Sequence, residues 1–209
     1  MQFDLFDSAQ NQILGAKTYS DFKEALAGSG CVRCSLSSSR THIVVDRGNP
    51  QAKVMIIGEA PGENEDLQAR AFVGRAGKLL DELMREIGFN TEKDGLIANV
   101  VKCRPPENRA PLPKEVEACF PFLRKQIQFM QPRIILLLGA TALRHVIPDK
   151  GEFSMGQEAG NFFSHTAYPG IELMVLYHPA YILRDPRKRP LMAEHLKRFQ
   201  QCWIHTPPS

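Results

Sequence analysis

The chain has 209 residues, 43% of them hydrophobic and 23% charged, with a formal net charge of +3. That is enough apolar material for one α/β domain with a proper core, and too little net charge to argue by itself for a nucleic-acid partner. No run reaches the roughly eighteen apolar residues of a membrane span, and MQFDLFDSAQNQ lacks the basic-then-apolar order of a signal peptide, so a cytoplasmic chain without membrane contact is expected.

Apolar periodicity sets the elements in chain order. Residues 1–16 read as a polar tail and residues 17–205 as a single domain. A helix is expected over Tyr19 to Ala27, followed by Cys31 and Cys34 at C-x2-C spacing. A strand over Lys53 to Gly58 runs into the loop GEAPGENED, then into an amphipathic helix over Gly74 to Ile87. A second strand, Leu96 to Val101, delivers Cys103 and the segment RPPENRAPLPKEVEA, which ends at Cys119 on a helix over Pro113 to Met130. A strand over Arg133 to Gly139 and a helix over Ala140 to Val146 follow. The last strand, Glu172 to Tyr177, leads to His178-Pro179-Ala180-Tyr181, and a helix over Leu191 to Cys202 closes the pattern.

Short strands dense in Val, Ile and Leu, separated by helices, are the pattern of a parallel sheet covered on both faces. The expected fold is α/β: a three-layer α/β/α sandwich with a central four-stranded, mainly parallel sheet. Ligands of such sheets bind outside the carboxyl ends of the strands. GEAPG, Asn99 and His178 all stand there.

C-x2-C spacing alone serves redox dithiols, zinc sites and clusters alike. With Cys103 and Cys119 it makes a four-thiolate set, and because the second pair is not C-x2-C a zinc ribbon fits poorly. The fifth cysteine, Cys202, reads as a structural thiol. Cations concentrate in two runs, Arg104, Arg109 and Lys114, and Arg184, Arg187, Lys188 and Arg189. Each run directly follows a strand-end motif, which turns a solvated-face reading toward phosphate contacts.

Taken together, GEAPGENED, NVVKCRPPENRAPLP, the cysteine spacing and HPAY closely resemble the iron–sulfur uracil-DNA glycosylases, family 4 of that superfamily, over roughly Cys31 to Phe199. The resemblance implies the uracil-DNA glycosylase fold, a structural [4Fe–4S] cluster on Cys31, Cys34, Cys103 and Cys119, and uracil-containing DNA, single- or double-stranded, as substrate. It implies that His178 donates to uracil O2, that Phe72 stacks on the flipped base, and that Asn99 reads uracil N3–H and O4. A side-chain amide offers the acceptor and donors this needs, and cytosine presents the opposite pattern. Gly58, Glu59 and Ala60 would approach base and water through the backbone, since alanine carries no group to position water. Glu65 has two readings, a barrier against thymine's methyl group or a carboxylate in the first turn of a helix. Ala69 and Ala71 depart from the glycine and proline common in the family.

Gln2, Leu5 and Phe6 resemble the short Q-x-x-L-F peptide that docks on bacterial sliding clamps, against the alternative of a segment packing on its own domain. The reading is a monomeric, nucleoid-associated uracil-DNA glycosylase that leaves an abasic site and initiates base excision repair. RPPENRAPLPKE lacks the histidine of the covalent uracil-binding variants, which argues against covalent capture. A non-catalytic iron–sulfur or zinc DNA-binding module is the competing class. A phosphate-loop enzyme is weak, because GEAPGENED lacks GK[ST] and is crowded with carboxylates.

Overall fold

The structure, a computed structural model, describes residues 11–204. The clamp-like segment Gln2 to Phe6 therefore lies outside the described residues. Residues 11–16, expected to belong to a tail, instead carry Ile13 into the core at 4% exposure.

Strand alternation decides the layers, because successive side chains point to opposite faces of a sheet. In β2 (Val54–Gly58), Val54 and Ile56 join one core while Met55 and Ile57 join the other. The strands β3 (Gly95–Asn99), β4 (Ile134–Leu138) and β6 (Glu172–Leu176) divide in the same way. On the first face lie α3 (Arg75–Glu86), through Leu80 and Leu83, and α8 (Arg189–Ile204), through Met192 and Phe199. On the second lie α1 (Tyr19–Gly28), α4 (Pro113–Met130) and α5 (Gly139–Val146), through Phe22, Leu123 and Leu143. The expected α/β/α layering is present.

The sheet is larger than expected, with six strands in the order β1-β3-β2-β4-β6-β5. Its middle four are parallel, and the edges β1 (Arg47–Gly48) and β5 (Phe162–Ser164) run antiparallel. Strands of two and three residues are too short to show a period of two, which is why only four were legible. The chain also forms α2 (Glu63–Gln68) inside the segment read as a loop. There the Glu65 carboxylate accepts the Gly62 N–H at 3.1 Å and so satisfies one of the helix's free amides. Short helices α6 (Met155–Glu158) and α7 (Pro179–Arg184) complete the elements.

From β2 the chain crosses to β3 on one side and then to β4 on the other. The topological switch point is thus the gap between the carboxyl ends of β2 and β4, where ligands of open α/β sheets bind. In the register Gly58 pairs with Asn99, so the loop after β2 and the end of β3 open at one level. Among the described residues, no helix is long and apolar enough to cross a membrane.

One core contact tests the packing. Phe199 is fully buried, edge-on to Phe89 at 5.5 Å and stacked on Trp203 at 6.3 Å. Phe199→Ala should destabilise the chain by about 3–5 kcal/mol, read as a lower urea midpoint with unchanged slope.

Candidate functional site

A pocket of about 880 Å³ opens at the switch point. Glu59 and Ala60 from the loop after β2, Asn99 from β3, Leu138 and Gly139 from β4 and its continuation, and Tyr177 and His178 after β6 line it, with Glu65 and Phe72. Four strand ends thus supply one cavity.

Asn99 is 1% exposed, and neither polar atom of its side chain makes a hydrogen bond among the described residues. A buried amide left unpaired is costly, which marks it as a group waiting for a ligand that offers both a donor and an acceptor. The Phe72 ring lies close beside it, and the space comes from Gly58. A β-carbon there would sit 2.5 Å from Phe72 Cζ and 2.6 Å from Asn99 Oδ1. Phe72 itself is held at φ 54, a left-handed conformation rare for an aromatic residue. The position is locked from below by α3, where a β-carbon on Gly77 would fall 1.8 Å from the Phe72 carbonyl oxygen. From the side, Glu65 bridges the loop, accepting from Gly62 N–H at 3.1 Å and Gly74 N–H at 2.7 Å. Glu65 lines the pocket and also fastens both ends of the segment that carries Phe72.

His178 follows β6 and caps α7. Its Nδ1 accepts the Ala180 N–H at 3.1 Å, which leaves the ring proton on Nε2. Burial, and then the charge of Arg184, push its pKa down to about 4. The imidazole is therefore a neutral donor over the physiological range, with its centroid 5.8 Å from that of Phe72.

The predicted cations separate into two groups. Arg109, Arg184 and Lys188 line the pocket, whereas Arg104, Lys114 and Arg187 do not. Arg109 is forked onto Glu115 at 2.7 and 2.9 Å, Arg104 bonds Asn108, and Arg187 pairs with Asp185 at 2.7 Å. Arg189 bridges Glu82 and Glu86 at 2.7 Å each. Arg184 and Lys188 make no ion pair among the described residues and are the cations best placed to meet an anion at the mouth.

The four cysteines do approach one another, since Cys31, Cys34, Cys103 and Cys119 line a small separate cavity. The expected [4Fe–4S] cluster is nevertheless corrected. Among the described residues, no group of three or more His, Cys, Asp or Glu side chains is arranged to hold a metal ion. The segment between Cys103 and Cys119 is held instead by Glu115, 2% exposed. It accepts Arg109, the Leu112 N–H at 2.7 Å and the Ser35 hydroxyl at 2.6 Å. These contacts, led by the Arg109 fork, hold its carboxyl down at about 2.

Two contributors were missed in the sequence, Gly77, which acts by what it lacks, and Tyr181, which stacks on Tyr177 at 5.4 Å beside the pocket. Tyr181 left a signal, as the last residue of HPAY, and Glu65, read from the sequence as either a barrier or a first-turn carboxylate, does sit in the first turn of a helix.

The chain matches the model of the uracil DNA glycosylase superfamily over residues 45–205. It is 41% identical over 178 residues to the type-4 uracil-DNA glycosylase of Sulfurisphaera tokodaii, covering 83% of this chain and 80% of that relative. Against the type-4 uracil-DNA glycosylase of Thermotoga maritima the identity is 45% over 155 residues, 74% of this chain and 79% of the relative. The corresponding protein of Saccharolobus solfataricus is 40% identical over 182 residues, 85% and 83% of the two chains.

The buried imidazole has a direct test. With an ordinary value of 6.5 when unfolded and about 4 when folded, His178 takes up its proton first in the unfolded chain. The stability from this group is complete above about pH 6.5 and is lost as pH falls toward 4. Nitrogen NMR of histidine-labelled protein between pH 6 and 8 should show His178 as a non-titrating Nε2–H tautomer. A midpoint near 6.5 would contradict the assignment.

Proposed function

The chain belongs to the uracil-DNA glycosylase superfamily, on its type-4 side, and on that premise we propose how its pocket removes uracil from DNA. The enzyme is a uracil-DNA glycosylase acting in base excision repair. It hydrolyses the bond between deoxyribose C1′ and uracil N1 and leaves an abasic site. The single observation that carries the assignment of roles is the buried, unpartnered amide of Asn99 beside an aromatic ring and a neutral histidine.

The uracil enters the pocket flipped out of the helix and lies against the Phe72 ring, a contact worth roughly 1–3 kcal/mol. Asn99 Oδ1 accepts uracil N3–H while Nδ2 donates to O4. Cytosine, which accepts at N3 and donates at N4, leaves both groups opposed. As the bond breaks, its electron pair passes to the base and charge develops on O2. The Nε2–H of His178 meets that charge, and because the ring is already neutral and fixed by Ala180, no reorganisation is needed when charge appears. Water bonds to C1′ through the space bounded by the Glu59 and Ala60 backbone, and its proton goes to the departing uracil anion. Glu65, fastened by two amides, stands as a fixed wall of the pocket rather than a mobile carboxylate. Arg184 and Lys188 hold the flanking phosphates. Residues 17–205 act together as the glycosylase domain.

Single-turnover excision tests these roles. His178→Ala should lose about a hundred- to a thousandfold in rate with DNA affinity nearly unchanged. Asn99→Asp keeps the acceptor for N3–H but loses the donor to O4, so uracil excision should fall and discrimination against cytosine should narrow. Near-wild-type uracil rates in both variants would refute the roles and favour a non-catalytic DNA-binding module.

The two pocket-mouth cations make a separate prediction. Arg184→Gln with Lys188→Gln should flatten the dependence of DNA affinity on salt by roughly 0.9 log units for each phosphate no longer neutralised. Neutralising Arg187, already paired with Asp185, should change the slope less.

A further inference from the structure

Behind the pocket, just past the end of β3, a lysine is buried at 1% exposure. Lys102 lies three residues past Asn99, and its chain folds back so that Nζ donates to the Asn99 backbone oxygen at 2.9 Å and to Gln126 Oε1 at 2.5 Å. An amine and an ammonium both donate, so these contacts hold in either protonation state.

Gln126, itself fully buried, is oriented by what surrounds it. Its Nε2 donates to Tyr19 Oη at 2.9 Å, the Val45 carbonyl at 3.2 Å and Asp46 Oδ2 at 3.3 Å. Asp46, 3% exposed, also accepts Tyr19 Oη–H at 2.5 Å and the half-exposed Lys23 at 2.7 Å. The Lys102 backbone is tied as well, its N–H to Cys119 Sγ at 3.2 Å and its carbonyl to Val44 N–H at 2.8 Å. Polar contacts thus run without a break from the Asn99 carbonyl to the surface of α1.

Such a network is expensive to bury, and every member must be satisfied for it to be tolerated. What it grips is the peptide of the residue whose side chain faces the pocket. We propose that Lys102 is a positioning residue for uracil recognition. It anchors the Asn99 backbone from behind, so that the amide in front holds the angle needed to meet N3–H and O4. This rests on the reading of Asn99 as the base reader.

The test is a double-mutant cycle on the full chain, read as single-turnover uracil excision and as DNA affinity. Removing both partners together, Lys102→Met with Gln126→Leu, avoids leaving either buried group opposed. With Asn99 present this pair should lower the rate about tenfold with little change in affinity; in an Asn99→Ala background the same pair should cost less than about twofold. An equal loss in both backgrounds would show a general packing effect and overturn the proposal. Failure of the underlying reading looks different, because Asn99→Ala would then leave the uracil rate intact. Should the paired variant melt below the assay temperature, the cycle is run with Lys102→Gln, which keeps a shorter polar side chain. Loss dependent on Asn99 supports the proposal, and loss independent of it overturns the proposal.

Discussion

The pocket depends on one close approach, that of the Phe72 ring and the Asn99 amide across the bare backbone of Gly58. No side chain larger than hydrogen fits between them. The ring and the amide can therefore define one slot for a planar base, its face against the aromatic and its edge against the amide. The other structural oddities near the site serve this approach. Phe72 adopts a left-handed backbone, Gly77 allows α3 to come up beneath it, and Glu65 fastens the segment at Gly62 and Gly74. Strained backbone of this kind persists only where its surroundings over-determine it.

The electrostatics follow from the same burial. Burial keeps His178 neutral, so its ring can donate a hydrogen bond without carrying a charge that would need solvation. The cations Arg184 and Lys188 stand at the rim of the pocket, and Arg184 adds to the depression of the histidine. The unpaired cations thus lie at the rim, while the two groups proposed to read the base, Asn99 and His178, are neutral and buried.

The inter-cysteine segment illustrates a second kind of stiffening. The loop between β3 and α4 is gathered by Glu115, whose carboxylate joins Arg109 and Leu112 of the same segment to the distant Ser35. Four cysteines at suggestive spacing meet in space, yet they do not form a metal-holding group among the described residues. Spacing fixes which residues can meet. It does not fix the arrangement of their donor atoms.

The sequence by itself determined the layer architecture, the four buried parallel strands and the placement of GEAPG, Asn99 and His178 at their ends, because apolar periodicity and strand polarity are local properties of the chain. Phe72 was placed at the site only through the family resemblance, and it does line the pocket. The two- and three-residue edge strands were out of reach, since they exist only through pairing with β3 and β6. Tertiary structure alone decided which cations are tied to carboxylates, that Glu65 clamps a loop, that Gly77 matters for the β-carbon it lacks, and that Lys102 turns back to Asn99. Each of these depends on distances between side chains far apart in the chain or folded back on it, and such distances are set by packing rather than by any periodicity a linear sequence can carry.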